Sequence, residues 1–153
     1  MGTEAQTESQ AIRPYAASLE LLRKVGLRPT RQRLALAKTL FMEGGHRHVT
    51  AEQLHDEVMA SGVRVSLATV YNALHQFTEN GLLRELVIEP GHVYFDTNVV
   101  PHHHFYEAAT GRLEDVDAAE VDFSRLPPPP AGMRVKGVHV ILYIERDTAR
   151  AAA

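Results

Sequence analysis

Ser66-Leu67-Ala68-Thr69-Val70-Tyr71-Asn72-Ala73-Leu74-His75-Gln76-Phe77 opens on a residue that caps helices and carries Leu67, Val70, Leu74 and Phe77 at helical spacing. It reads as an amphipathic helix closed by Gly81. Asn72 lies opposite the apolar stripe, Ala68, Thr69, His75 and Gln76 lie on the outer side, and Tyr71 sits at the border. Just upstream, Thr50 and Gln53 have the spacing of a capping box, with Val49 and Leu54 as its hydrophobic staple, which predicts a helix from Thr50 to Ala60. Just downstream, Leu82 to Ile88 and Val93 to Phe95 flank Glu-Pro-Gly-His, a turn signal, and predict a hairpin. Further upstream, residues 15–25 read as a first helix ended by Gly26, and Thr30 caps a second with Leu34, Ala37, Leu40 and Phe41 at helical spacing. Helices joined by a turn and followed by a two-stranded wing form the winged helix-turn-helix pattern, whose second helix enters the DNA major groove; an αα-hairpin packed in a helical enzyme is the alternative reading.

The second half has a different texture. Residues 103–107 and 112–116 flank Ala-Ala-Thr-Gly and predict another hairpin. Val135 to Glu145 reads as a long last strand covered on both faces, with Val138, Val140, Leu142 and Ile144 on one side and His139, Ile141 and Tyr143 on the other. Between them Ala118 to Leu126 is expected to hold a helical turn, and Pro127 to Pro130 an extended spacer.

A chain of 153 residues with 44% hydrophobic residues can form one ordinary domain or two small ones. Cysteine is absent, which excludes disulfides, thiolate zinc sites and cysteine-based redox or nucleophilic chemistry within the chain. No apolar run approaches the span of a bilayer, and Met1 to Gln10 is polar without a signal-peptide core, so a cytoplasmic protein is expected. The net charge of −3 is unevenly spread: residues 1–84 hold ten Lys/Arg against eight Asp/Glu, and residues 85–153 six against eleven. Arg28, Arg31 and Arg33 in the first half can track phosphates, whereas the acidic second half suits cations.

The chemistry-bearing feature is His102-His103-His104, inside a segment that reads as a strand. Strand side chains alternate, so His102 and His104 share one face and His103 points to the other. Asp96 and Asp115 stand close enough in sequence to complete a mixed nitrogen and oxygen shell suited to a borderline divalent ion. Solvated loop histidines are the alternative reading.

Gly26-Leu27-Arg28-Pro29-Thr30, His48-Val49-Thr50-Ala51-Glu52-Gln53-Leu54, Ser66-Leu67-Ala68-Thr69-Val70-Tyr71 and Phe95-Asp96 followed by the histidines together resemble the ferric uptake regulator family over nearly the whole chain. The resemblance implies a dimeric, metal-responsive transcription regulator. Within the family the histidine triplet, the lack of Cys-x-x-Cys pairs and the Pro-rich segment look like the iron response regulator branch of alphaproteobacteria, which senses haem. Glu107 and Thr110 stand where other members carry a zinc-binding cysteine pair, so no structural cysteine zinc site is expected. Family regulatory positions map onto His48, Asp96, His102, His104 and Asp115, and a second metal or haem site onto His103 and His139. For DNA, Tyr71 matches a residue that contacts a thymine and Arg28 one that reaches the minor groove; Asn72 suits adenine or the backbone. Partial core packing is the alternative for Tyr71. Arg31, Arg33, Ser66 and Thr69 complete the expected DNA-binding set.

The expectation is an α+β protein: a winged helix-turn-helix domain over 1–90 with 1–12 disordered, a hinge at 91–100 and a small α/β dimerisation domain over 101–153. One ion of iron, manganese or zinc would clamp the two domains, with haem as an alternative ligand. The partners expected are a second copy, or a higher oligomer, and an AT-rich palindromic operator. Two rival functions are a peroxide sensor of the same fold and a small histidine-ligated metalloenzyme; no H-E-x-x-H, nucleophile elbow or phosphate loop supports the latter.

Overall fold

In the computed structural model, which describes residues 13–151, the chain divides into two units between Val99 and Val100. The expected disorder of 1–12 lies outside the described residues. The first unit opens with a 3-10 turn, Arg13–Tyr15, and four helices: α1 (Ala16–Lys24), α2 (Arg31–Phe41), α3 (Ala51–Ala60) and α4 (Leu67–Glu79). Each of the three later helices starts where its cap predicts. Thr30 accepts from the Arg33 amide at 3.2 Å and Ser66 from the Thr69 amide at 3.1 Å. Thr50 accepts from the Gln53 amide at 3.2 Å while the Gln53 side chain accepts from the Thr50 amide at 2.9 Å, a complete capping box. Helix α4 stops at Gly81, whose φ of 75° lets the Leu82 amide bond back to the Phe77 carbonyl at 2.9 Å.

Leu22, Leu36, Leu40, Leu54, Val58, Val70, Leu74 and Phe77 form the centre of one apolar core, joined by Val49, Leu83 and Phe95 from the strands. The stripe of α4 differs from the expected one at its first turn. Leu67 is exposed and Ala73 takes its place in the core, because the packing partners of α4 begin one turn further along, at Val70. Strands β2 (Arg84–Glu89) and β3 (His92–Asp96) form the predicted wing, and a third, β1 (His48–Val49), joins them in the order β1-β3-β2. Strand β3 occupies half of the expected hinge, so the segment between the last strand of the first unit and the first strand of the second is 97–101.

The second unit is a sheet of β4 (His102–Glu107), β5 (Arg112–Asp117) and β6 (Ile141–Ile144) in the order β5-β4-β6. Strands β4 and β5 pair antiparallel from His102 opposite Asp117 to Glu107 opposite Arg112. Their turn is closed by Gly111, whose amide bonds the Glu107 carbonyl at 2.8 Å, and by the Thr110 hydroxyl, which donates to the Glu107 carboxylate at 2.6 Å. A 3-10 turn follows at Ala118–Glu120, inside the stretch expected to hold one, and α5 (Thr148–Ala151) ends the described chain.

The last strand corrects the sequence reading twice. It spans four residues rather than eleven: it pairs parallel with β4 only from Ile141 opposite His104 to Ile144 opposite Glu107, and one step earlier the Val140 amide is taken by the His103 ring rather than by the ladder. It is also not covered on both faces: Leu142, Tyr143 and Ile144 are exposed, as an edge strand of a three-stranded sheet allows.

Phe77 has no accessible surface and meets Phe41 at a ring separation of 6.0 Å. Phe77→Ala is expected to cost about 3–5 kcal/mol in denaturant unfolding followed by far-ultraviolet circular dichroism. A loss below about 1 kcal/mol, the scale of an isosteric core swap, would place the core elsewhere.

Candidate functional site

In the first unit, His48 on β1 stands directly across from Asp96 on β3. His48 Nε2 lies 3.2 Å from Asp96 Oδ2, and Asp96 is fully buried. Its other oxygen accepts from the Asn98 amide at 2.8 Å. A buried carboxylate needs such partners, because desolvation penalises an isolated charge heavily. One more residue of pairing extends the ladder: the Thr97 amide donates to the Arg47 carbonyl at 3.0 Å, and the Arg47 amide to Thr97 Oγ1 at 2.8 Å.

In the second unit, β4 buries His102, His103 and His104 in succession. His104 faces Asp115 across the β4–β5 ladder, and His102, two residues along, shares that face. His102 Nε2 and His104 Nε2 lie 2.9 Å apart, and Asp115 Oδ1 is 3.3 Å from the first and 3.5 Å from the second. The opposite ring nitrogens are turned to fixed partners. His102 Nδ1 meets the Val100 carbonyl at 2.5 Å, and because a carbonyl only accepts, that nitrogen carries the hydrogen. His104 Nδ1 meets His139 Nε2 at 2.9 Å.

His102 Nε2, His104 Nε2 and an Asp115 carboxylate oxygen converge on one point, where a divalent cation can take a lone pair from each. Ligands about 2.0–2.2 Å from a divalent ion stand about 2.8–3.6 Å from one another in octahedral to tetrahedral shells, which matches the three separations in this triad. Two imidazoles and a carboxylate without thiolate suit iron, manganese or zinc. His102, His104 and Asp115 therefore fit a divalent ion, and within the first unit His48 and Asp96 form a second donor pair.

His103, on the other face of β4, accepts from the Val140 amide at 3.1 Å through Nδ1 and packs edge-on against Phe123 at 5.2 Å. Its ring lies 6.2 Å from that of His139 and nearly parallel to it. His139 is thus a neighbour of both His103 and His104, and its bond to His104 was not legible from a spacing of 35 residues.

Arg28 and Arg31 are exposed at the start of α2, as phosphate contact requires. Arg33 is half-buried and is tied down, donating to the Arg28 carbonyl at 2.9 Å and to the Gln76 side chain on α4. Arg28 and Arg33 border a cavity of about 490 Å³ with Thr69, Asn72 and Gln76 on its α4 side. Asn72 and Ser66 are exposed and Thr69 is half-buried, its hydroxyl 2.8 Å from that of Ser66. Tyr71 is half-buried, and its hydroxyl donates to Glu52 at 2.8 Å. Gln76 and Glu52 were not singled out from the sequence, though the former stood on the outer face of the helix and the latter in the capping-box stretch.

The description of the ferric uptake regulator family matches residues 24–142. The chain belongs to that family. Membership makes it a metal-responsive transcription regulator, a family of regulators rather than enzymes. A peroxide-responsive repressor of Staphylococcus epidermidis is 31% identical over 105 residues, 69% of either chain. The ferric uptake regulator of Pseudomonas aeruginosa, solved with manganese, is 28% identical, superposes with a TM-score of 0.64, and is matched over 84% of this chain and 96% of its own. The regulator of Francisella tularensis, solved with iron, shares the fold at 17% identity, with a TM-score of 0.65 over 82% of this chain and 96% of its own. Among the described residues no helix of this family member is long and apolar enough to cross a membrane.

The Glu52 carboxylate accepting its hydrogen bond holds the Tyr71 phenol above its ordinary value of 10.0, with partial desolvation and the negative charge acting in the same direction. Removing the charge lets the phenol ionise at lower pH. In ¹³Cζ-tyrosine spectra assigned with Tyr71→Phe, Glu52→Gln is expected to move the Tyr71 titration downward, and an unmoved titration would refute the contact.

Proposed function

We propose that this protein is a cytoplasmic, homodimeric repressor in which one divalent ion bound by His48, Asp96, His102, His104 and Asp115 sets the affinity for an AT-rich palindromic operator. The observation that carries the reading is the convergence of the buried His102 and His104 with the exposed Asp115, whose donor atoms stand at separations that a shared cation fits. His48 and Asp96 offer the remaining donors, and Asp96 is tethered to His102 by six residues, a reach of at most about 20 Å. An ion held by both pairs favours one arrangement of the two units, and the population shifts by its differential affinity for that arrangement.

Operator binding is assigned to α4 with Ser66, Thr69, Tyr71 and Asn72 toward the bases, and to Arg28, Arg31 and Arg33 toward the phosphates. The exposed Leu142, Tyr143 and Ile144 on β6 support dimerisation, because a second copy can cover them. His103 and His139 remain a second metal or haem site under this reading, and the cysteine-free triplet supports placement in the haem-sensing iron response branch. The peroxide-responsive relative supports a second reading, in which iron at the same ligands directs oxidation of His48 or His102.

Apo-protein titrated with manganese, iron, zinc and haem, following absorption and retention of an operator duplex, tests these readings together. At least one divalent ion is expected to change operator affinity about tenfold or more, and His104→Ala to abolish that response while the circular dichroism spectrum stays unchanged. Operator affinity indifferent to every ion and to haem would remove the sensing role. For the second reading, iron-loaded protein exposed to peroxide is expected to gain one oxygen atom on His48 or His102 by mass spectrometry, whereas manganese-loaded protein is not.

A further inference from the structure

The His48–Asp96 pair rests on a weak piece of sheet. Strand β1 is two residues long and has a neighbour on one side only, β3. It follows an exposed loop, Met42 to His46, in which Gly44 adopts a φ of 133° and two glycines adjoin. So short an edge strand has little of its own to hold its register.

Arg47 supplies what the strand lacks. Its backbone adds the Arg47–Thr97 bonds beyond His48–Asp96. Its guanidinium grips Glu57 on α3 through both nitrogens, Nη1 to Oε2 at 2.9 Å and Nη2 to Oε1 at 2.6 Å. Nη1 also donates to the Thr39 carbonyl at 3.4 Å, in the last turn of α2 where a cation complements the helix end. One side chain thereby fastens the ligand-bearing strand to two helices of the core. A partly exposed ion pair adds little to global stability, but a two-pronged arginine fork fixes direction in a way that a lysine ammonium does not.

We infer that Arg47, locked by Glu57, is a positioning residue for the His48 and Asp96 ligands and sets the affinity of the protein for its metal. The inference rests on the metal site proposed above. Neither Arg47 nor Glu57 touches the ion; they act by holding β1 in register so that His48 Nε2 and Asp96 are presented together.

The test is titration of the full-length apo-protein with Mn(II), for the wild type, Arg47→Lys, Glu57→Gln and the double variant, at a temperature where circular dichroism shows each to be folded. Each single variant is expected to weaken Mn(II) binding about tenfold, the scale of residues that orient ligands, with apo melting temperatures close to that of the wild type. The double variant is expected to bind no more weakly than Arg47→Lys alone, as a pair acting as one unit requires. Wild-type affinity in either single variant, or losses that simply add in the double, would overturn the inference while leaving the metal site standing. A wild-type protein that takes up no Mn(II) would overturn the manganese site and this inference together.

Discussion

Burying three imidazoles in succession on β4 obliges the surrounding structure to pair every ring, and most of the second unit answers that obligation. His102 turns one nitrogen to the Val100 carbonyl, His103 takes the Val140 amide, and His104 leans on His139. The ring atoms left facing each other belong to His102 and His104, beside Asp115, and their convergence is what makes the spot a seat for a cation. The same register that pairs β4 with β5 puts Asp115 there, so ladder and ligand geometry are one constraint.

The first unit meets a different demand. Helices α2, α3 and α4 are fastened by side chains at their starts and α4 by Gly81 at its end, so the outward face of α4 is presented on a rigid core. Several polar groups on that face are already engaged: Tyr71 with Glu52, Arg33 with Gln76, and Ser66 with Thr69. Whatever docks against α4 meets side chains whose rotamers are largely chosen beforehand, which lowers the entropy lost on association. The engagement of Arg33 also distinguishes it from Arg28 and Arg31, which remain exposed at the head of α2.

Local chemistry was legible in the sequence, and contacts distant along the chain were not. Thr30, Thr50 and Ser66 cap helices where a hydroxyl before an apolar run places them, because capping is decided within four residues. The sharing of a face by His102 and His104 follows from strand alternation alone. Strand β1 leaves no mark in the sequence, since two residues hold no periodicity, and Arg47 with Glu57 obeys no spacing rule across ten residues. Strand β6 is shorter than its β-branched composition suggests because composition reports propensity, whereas pairing with β4 runs only from Ile141 to Ile144 and the Val140 amide is diverted to the His103 ring. Leu67 looked like core by spacing and is exposed by position, one turn ahead of the packing it would have joined.

The parallel pairing of β6 with β4 also governs the order in which the second unit is assembled. Strands β4 and β5 are joined by a tight turn and can zip together early, whereas β6 returns only after the long excursion over 108–140, with its run of prolines from Pro127 to Pro130. Closing that excursion carries the heaviest loop entropy in the unit and makes β6 the slow arrival. His139 travels with it, so during synthesis and refolding His102, His104 and Asp115 are gathered first and the ring that steadies His104 comes last.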